Sequence, residues 1–269
     1  MSSVIGLVTY NGDNPKYLLK CLRSIDIANV MNLDKIVCLN GRISKKSLSY
    51  FKKYNWEIIY NEGLSLASGL NRLYKYIIKK SIYKYIYRMD TDDLMSTQRL
   101  IIQEAYLAKN PNVDVFGGMI VEFEKKYKIL GISKKNSKKI KDTAIYRSPL
   151  MHPTVCFKVD FLKKILEDRG YVYCENTISS EDIELWHYII NKGYVIKVID
   201  DILVFFRRDD LFFQRRSLSK RLNELKLYYK FYFKLKKIKI IPFSKLILRS
   251  LISFLPINAL KIIYNARLK

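Results

Sequence analysis

The stretch Tyr85-Ile86-Tyr87-Arg88-Met89-Asp90-Thr91-Asp92-Asp93 constrains this chain most, because an apolar-leaning run breaks off into three carboxylates within four residues. Like charges a few ångströms apart repel and raise one another's pKa unless a cation or a hydrogen-bond donor sits among them. A divalent metal is one natural compensator, since Mg²⁺ and Mn²⁺ take hard oxygen ligands, commonly one or two carboxylates completed by water and substrate phosphates. That reading points to a phosphate-bearing substrate. The other reading is an acidic, solvated turn after a strand.

The surrounding pattern decides where such a cluster would lie. Val4–Tyr10, Lys35–Leu39, Trp56–Tyr60 and Tyr83–Met89 are short strand-like runs. Between them lie segments of helical period: Tyr17, Leu18, Cys21, Leu22 and Ile25 recur on one face, and Leu64–Lys79 carries Leu66, Leu70, Leu73 and Ile77 on one stripe. This alternation predicts an α/β fold with helices on both faces of a sheet. The carboxylates then fall at the C-terminal end of the fourth strand, the edge where open α/β sheets bind ligands. Farther on, Thr97–Lys109 reads as a helix, Val113–Val121 as a strand containing Gly117-Gly118, and Lys134–Lys141 as a lysine-rich loop. His152–Phe157 reads as a strand entered through a proline-fixed turn, and Phe161–Glu167 as a helix. A further helix starts after Ser179-Ser180 and stops at Gly193, followed by strands Val195–Ile199 and Leu203–Phe206.

The 269 residues are 49% hydrophobic and 28% charged, enough apolar surface for one large domain with an appendage. Cys21, Cys38, Cys156 and Cys174 lack metal-ligand spacing and are expected as buried free thiols of a reducing compartment. The first residues have no basic n-region and run straight into a strand, so no signal peptide is expected. The net charge of +24 demands an anionic partner, nucleic acid or membrane. Residues 203–269 hold 17 Lys/Arg against 3 Asp/Glu, with apolar clusters such as Leu251-Ile252-Ser253-Phe254-Leu255 between them. Interleaved basic and bulky apolar residues suit an interfacial helix. Pro242, Lys245, Arg249 and Pro256 interrupt every window near the ~18–20 apolar residues that spanning requires. Residues 217–269 are therefore expected as a basic amphipathic helical extension lying on an anionic membrane surface, appended to a domain of residues 1–216. Ordinary helices packed on the core are the other possibility. Nucleic acid is not expected as the partner, because no RRM, KH, zinc-finger or helix-turn-helix signature occurs.

Ser180-Glu181-Asp182 opens the helix of the second half. Acidic residues there stabilise any helix by ~0.3–1 kcal/mol against its dipole, and serine caps free N–H groups. The chemical reading makes Asp182 a general base, held ionised by the helix N-terminus. His152 and Trp186 are structural on the simplest view, with roles in substrate binding or stacking on a sugar as the alternative.

In this order the motifs resemble the GT-A glycosyltransferases of family 2 over residues 4–210. Val4–Asn11 is similar to the first strand and Thr-Tyr-Asn turn of that family, and Ile36–Gly41 to its second strand. Asn61-Glu62-Gly63-Leu64-Ser65-Leu66-Ala67-Ser68-Gly69-Leu70-Asn71 is similar to N-x-G-L-x-x-A-L-N, and Arg88–Asp93 to R-M-D-A-D-D. His152-Pro153-Thr154-Val155 and Glu181–Trp186 are similar to H-P-T-V and E-D-x-x-L-W. The resemblance implies a GT-A, Rossmann-like mixed central sheet flanked by helices, and a nucleotide-sugar donor at its edge. Thr9, Tyr10, Asn11, Asn40, Gly41, Asn71, Arg88, Asp90 and Thr91 would form the nucleotide-sugar site. Asp90 would contact the nucleoside, Asp92 would hold Mn²⁺ or Mg²⁺ on the diphosphate, and Asp93 would support that loop. Asn40 stands where the family often has aspartate, replacing a pure acceptor by an ambivalent amide. Asp182 would deprotonate the acceptor hydroxyl, with inversion at the anomeric carbon. Glu181, His152 and Trp186 would serve the acceptor or support the site. The Gln-x-x-Arg-Trp motif of processive synthases is absent, and Gln214-Arg215-Arg216 is not equivalent to it.

The expected activity is transfer of a hexose or N-acetylhexosamine from a UDP-sugar to a lipid-linked or lipopolysaccharide-type acceptor, at the cytoplasmic face of the membrane. A nucleotidyltransferase and a basic nucleic-acid-binding protein are the rival readings.

Overall fold

The computed structural model describes residues 2–266 except 64, 136, 178–179, 210–211 and 236–237. Leu64 and Ser179, expected beside helix starts, lie outside the described residues, as do Asn136 of the lysine-rich loop and the last three residues of the C-terminal segment. Among the described residues nine strands form one mixed sheet: β1 (Ser3–Tyr10), β2 (Asp34–Asn40), β3 (Glu57–Asn61), β4 (Tyr85–Met89), β5 (Leu94–Met95), β6 (Val115–Phe123), β7 (Ile129–Ser133), β8 (Cys156–Lys158) and β9 (Ile196–Arg207). Their order is β3-β2-β1-β4-β8-β6-β9-β5, with β7 also paired to β6. The helices are α1 (Pro15–Ala28), α2 (Lys45–Lys53), α3 (Leu66–Lys80), α4 (Arg99–Lys109), α5 (Ile140–Thr143), α6 (Val159–Arg169), α7 (Glu181–Lys192), α8 (Leu218–Phe233), α9 (Ile240–Ser253) and α10 (Ile257–Ala266).

The first four strands run parallel, β1 pairing with β2 and β4, and β2 with β3. Tyr10 lies opposite Asn40, Asn40 opposite Asn61, and Leu7 opposite Met89. This register brings the C-terminal ends of all four strands to one edge, so the turns after Tyr10, Asn40 and Met89 are neighbours. The strands are apolar throughout because helices cover both faces. Leu18, Leu22, Ile25, Phe51 and Leu100 fill one face, and Leu70, Leu73, Ile77, Leu162 and Trp186 the other. Each such side chain contributes about 1.5–3 kcal/mol on full burial. Cys21, Cys38 and Cys156 are buried free thiols, whereas Cys174 is half-buried.

Several elements differ from the sequence pattern. The expected strands Val195–Ile199 and Leu203–Phe206 merge into one unbroken strand, β9, which starts at Ile196. Asp200 and Asp201, whose polarity suggested the break, are exposed, and register shifts against Gly117–Ile120 of β6 absorb the irregularity. His152–Thr154 forms a 3-10 turn, leaving only Cys156–Lys158 as strand. The short β5 and the half-exposed β7 have too few buried apolar residues to announce themselves. Ser180 does not cap α7 through its side chain; it lies in the left-handed region at φ 69, while its carbonyl accepts from the Ile183 amide at 3.0 Å.

Helices α8–α10 are docked on the domain. His187 of α7 stacks on Phe231 of α8 with centroids 4.1 Å apart, and Leu225, Tyr228 and Leu246 are buried. Arg249 of α9 pairs with Glu224 of α8 at 2.8 Å. The Arg221 guanidinium donates to the Ser253 and Leu255 carbonyls, satisfying the open end of α9. Tyr264 of α10 donates to Glu122 of β6 at 3.1 Å, and Arg208 donates to Asn265 at 3.0 Å. Among the described residues no helix is long and apolar enough to cross a membrane.

Gly118 is where β6 and β9 approach most tightly: a Cβ there would sit 2.7 Å from the Asp201 carbonyl oxygen and 2.7 Å from the Leu203 side chain. A backbone oxygen cannot swing away, so Gly118→Ala should lower stability by about 1–3 kcal/mol, seen as a reduced urea midpoint with an unchanged m-value.

Candidate active site

At the shared strand edge, the Asp13 carboxylate fastens two turns together. One of its oxygens accepts from the Thr9 hydroxyl at 2.7 Å, the Thr91 hydroxyl at 2.8 Å and the Tyr10 amide at 3.3 Å. Burial raises the Asp13 pKa, and these three donors oppose the rise. Asp13 was not singled out in the sequence, where it reads as one more polar residue of the Asn11–Pro15 turn. Only the fold brings Thr91 to it. Tyr10 is 52% exposed and Asn11 is exposed beside it, so both face outward from the edge. Gly41, at φ 74 after β2, closes its turn by donating to the Asn61 carbonyl at 2.8 Å.

The acidic turn after β4 is held from below by arginines. Arg88 is buried and grips Asp90 through two bonds, of 3.0 and 2.6 Å. Burial disfavours the Arg88 charge, but the Asp90 carboxylate beside it more than restores it. Arg99, also buried, braces the same turn by donating to the Arg88 carbonyl at 2.7 Å and the Pro153 carbonyl at 3.0 Å. Arg207 donates its amide to Asp93 at 2.8 Å and its Nε to the Asp92 carbonyl at 2.8 Å, with its guanidinium between the Tyr17 and Phe123 rings. Asp93 is fully buried, and burial with Asp92 and Asp90 nearby drives its pKa well up against the Arg207 amide. Its second oxygen and Arg207 Nη2 are buried with no bond.

Asp92, half-buried where Asp93 is sealed, is under-compensated as well. Burial first, then Asp90 and Asp13, push its pKa up to about 6, with Arg215 pulling the other way. Among the described residues no three His, Cys, Asp or Glu side chains converge as a metal cage. A single carboxylate still fits Mg²⁺ or Mn²⁺ when diphosphate and water oxygens complete the shell. The donor set is hard oxygen, and a cation would relieve the raised pKa.

Other expected residues take indirect positions. The Asn40 amide donates to the Ser65 carbonyl at 2.8 Å and accepts from Asn61 at 2.7 Å. Asn71 is buried, accepting from the Val172 and Tyr173 amides and donating to the Tyr173 carbonyl and Glu175. It fastens α3 to the segment ahead of α7. His152 hydrogen-bonds the Tyr173 hydroxyl at 2.7 Å with its ring edge-on to Trp186, and burial with Arg88 keeps it neutral. Trp186 is fully buried and stacked near Phe157, so stacking on a sugar is not open to it; it supports the floor of the site.

Asp182 and Glu181 open α7 into a cavity of about 510 Å³. The helix end is not the only influence on the Asp182 charge. Burial, Glu181 and Glu224 raise its pKa to about 6, against the Ile183 amide and the Ser148 hydroxyl at 3.2 Å. A carboxylate poised there is a stronger base than an ordinary aspartate and still largely ionised at pH 7. Arg215 lines the same cavity, and its charge is felt by Asp92 and Tyr10, so one guanidinium spans both halves of the site. The basic run after the last strand was the only signal of it in the sequence.

The raised pKa carries a cost in stability. Because the folded value exceeds the ordinary 3.8, the native state holds this proton more tightly than the unfolded chain, and stability is lost as pH rises from about 4 through about 6. Asp182→Asn should therefore stabilise the fold at pH 7 by roughly 1–3 kcal/mol, with the gain vanishing near pH 4, as read by urea unfolding at both pH values.

Comparison with known proteins agrees with this geometry. Residues 4–170 match the model of Glycosyl transferase family 2. The chain is similar to the amylovoran biosynthesis glycosyltransferase AmsE of Erwinia amylovora, 26% identical over 226 residues covering 81% of each chain. It is likewise similar to an Escherichia coli UDP-Gal:alpha-D-GlcNAc-diphosphoundecaprenol beta-1,3-galactosyltransferase, 26% identical over 230 residues, 84% of this chain and 82% of the relative. The crystal structure of S. aureus TarS 1-349 in complex with UDP-GlcNAc shares the fold at TM-score 0.63 and 16% identity, covering 91% of this chain and 70% of that one. With the family match spanning most of the sheet and the motif-bearing turns at its ligand edge, this chain belongs to glycosyl transferase family 2 and is a glycosyltransferase of the GT-A fold.

Proposed function

We propose that the enzyme transfers a hexose or N-acetylhexosamine from a UDP-sugar to a lipid-linked saccharide or a lipopolysaccharide- or capsule-type acceptor, with inversion and one sugar per encounter. One observation carries this reading: Asp92 stands half-buried in the acidic turn at the strand edge, while Asp182 opens α7 into a cavity that Arg215 also lines. The names of the E. coli relative and the S. aureus neighbour support a UDP-sugar donor, and those of the two bacterial relatives support an acceptor of surface-polysaccharide type.

Tyr10 and Asn11 face the nucleoside from the end of β1, and Asp90 meets it with its carboxylate fixed by Arg88. Thr9 and Thr91 act through Asp13, while Asn40, Gly41 and Asn71 shape the turns from behind. Asp92 holds Mn²⁺ or Mg²⁺, which supplies Lewis-acid neutralisation of the departing nucleoside diphosphate. Arg215 adds its charge on the same side. Asp182 takes the proton of the acceptor hydroxyl as its oxygen attacks the anomeric carbon opposite the leaving group, which inverts the configuration. Asp93, Glu181, His152 and Trp186 hold the surrounding turns and the start of α7 in place.

The enzyme rests on the anionic inner face of the cell membrane through α9 and α10. Leu251 is 65% and Phe254 66% exposed, and Ile240, Ile241, Ile247 and Leu248 are exposed on the same helix. Each basic residue near an anionic surface adds about 1 kcal/mol of attraction.

UDP binding by calorimetry should require Mn²⁺ or Mg²⁺ and be lost in Asp92→Ala; metal-independent binding that survives the substitution overturns the donor assignment. The transfer rate should rise with pH through about 6 as Asp182 ionises, and Asp182→Asn should lose transfer while UDP affinity stays nearly intact. Leu248→Glu with Leu251→Glu should abolish salt-sensitive binding to anionic vesicles; equal binding by the double variant counts against the membrane contact. Deleting residues 217–269 is a poorer control, because it uncovers the core contacts of Tyr228, Phe231 and Leu246.

A further inference from the structure

The lysine-rich loop ahead of α5 has no part in the donor or acceptor chemistry, yet it builds a second cavity, of about 440 Å³, within the size range of small-ligand sites. Lys134, Lys135, Lys138 and Arg147 line it, and exposed Asp200 of β9 is the one carboxylate among its described lining residues. Thr143 and Tyr146 add hydroxyls. Close by, Lys239 is taken up by Asp142, and the Lys135 ammonium donates to the Ser148 carbonyl at 2.5 Å. The side chains of Lys134 and half-buried Arg147 make no ion pair among the described residues. Burial, and then the Arg147 charge, hold the Lys135 pKa well below its ordinary range, with Asp182 pulling it back up. Like charges gathered in a half-closed cavity destabilise it unless an anion joins them. A phosphate group suits this set, because Arg147 presents a planar fork of N–H donors and the lysines add point charges.

The place of the cavity in the fold favours one source of phosphate. Tyr146, on its wall, has the Lys245 ammonium of α9 over its ring, 5.3 Å from the centroid. Lys245 is exposed and shares a helix face with Ile241 one turn before it and Leu248 one turn after it, both exposed. Lys239, just ahead of α9, holds Asp142 of α5. The cationic cavity thus adjoins the helix whose outward face is the proposed membrane contact.

We infer that this cavity binds the phosphate of an anionic phospholipid headgroup. Arg147 and Lys134 take the phosphate oxygens, and the Thr143 and Tyr146 hydroxyls meet the headgroup beside it. The inference rests on the membrane contact proposed for α9, and it adds a single stoichiometric lipid site to what is otherwise a diffuse attraction.

The test has two arms, both on the full chain with Mn²⁺ and saturating UDP present. In the first, calorimetry with water-soluble dibutanoyl phosphatidylglycerol should show saturable binding, at least about threefold tighter than inorganic phosphate. Arg147→Gln should weaken it by about tenfold and Lys134→Gln by about threefold, with UDP affinity kept within about twofold, whereas Lys261→Gln on α10 should leave it unchanged. Circular dichroism confirms that the variants are folded. The second arm is flotation with phosphatidylglycerol vesicles. A diffuse field weighs exposed Lys261 at least as heavily as half-buried Arg147, so Arg147→Gln should cost more vesicle binding than Lys261→Gln. Equal losses from the two substitutions, or short-chain lipid binding indifferent to both Arg147 and Lys134, would overturn the inference. Inorganic phosphate bound as tightly as the lipid, and lost in Arg147→Gln, would make this a site for free phosphate and overturn the headgroup. Arg147-dependent binding of the short-chain lipid by a protein that ignores vesicles would keep the phosphate site and sink the membrane contact instead.

Discussion

Everything at the ligand edge depends on how the chain restrains four carboxylates that repel one another. Asp13, Asp90, Asp92 and Asp93 come together where β1 and β4 end, and each has a different answer to the crowding. Asp90 is neutralised by a buried two-bond pair with Arg88, Asp93 sits on the Arg207 amide, and Asp13 gathers three donors on one oxygen. Asp92 has its own backbone amide and the charge of Arg215. Asp90 and Asp13 make a rigid frame, Asp93 is sealed beneath it with one oxygen unbonded, and half-buried Asp92 is where a cation has the most to gain. Breaking a buried pair such as Arg88–Asp90 leaves an uncompensated charge, which is why the arginines beneath the turn matter as much as the aspartates above it.

The second half of the site follows the same logic with a different outcome. At Asp182, burial with Glu181 and Glu224 nearby outweighs the Ile183 amide and the Ser148 hydroxyl, and the result is a carboxylate tuned toward neutral pH rather than a locked one. The fold gives up some stability there, as sites that need reactive groups commonly do. Left-handed Ser180, two residues ahead of Asp182, adds backbone strain at the start of the same helix.

Much of this was legible in the sequence, for physical reasons that can be named. Parallel strands covered on both faces must be continuously apolar, so β1, β2 and β4 stood out, and the abrupt end of β4 at Asp90 located the ligand edge. Gly193 signalled the end of α7 because its left-handed conformation is open to glycine. What was hidden depended on contacts between distant residues. Asn40 and Asn71 read as ligand groups, yet their amides are consumed by Ser65, Asn61 and the Val172–Tyr173 segment. Asp13 and Arg215 gained significance only when folding set Thr91 beside one and the Asp182 cavity beside the other. The raised Asp182 pKa was hidden too, since local reasoning sees a helix terminus and misses Glu224 from a helix about forty residues later in the chain.

The manner in which α8–α10 close over the domain bears on how such an enzyme comes into being during synthesis. The strand edge and the Asp93–Arg207 contact are in place once β9 has been made. The wall facing Asp182 is not, because Arg221, Arg249 and Tyr264 must first find Ser253, Glu224 and Glu122. A chain folding from its N-terminus thus forms the acidic strand edge before it forms the cavity beside Asp182, and the helices that finish that cavity are the ones that leave Leu248, Leu251 and Ile262 exposed.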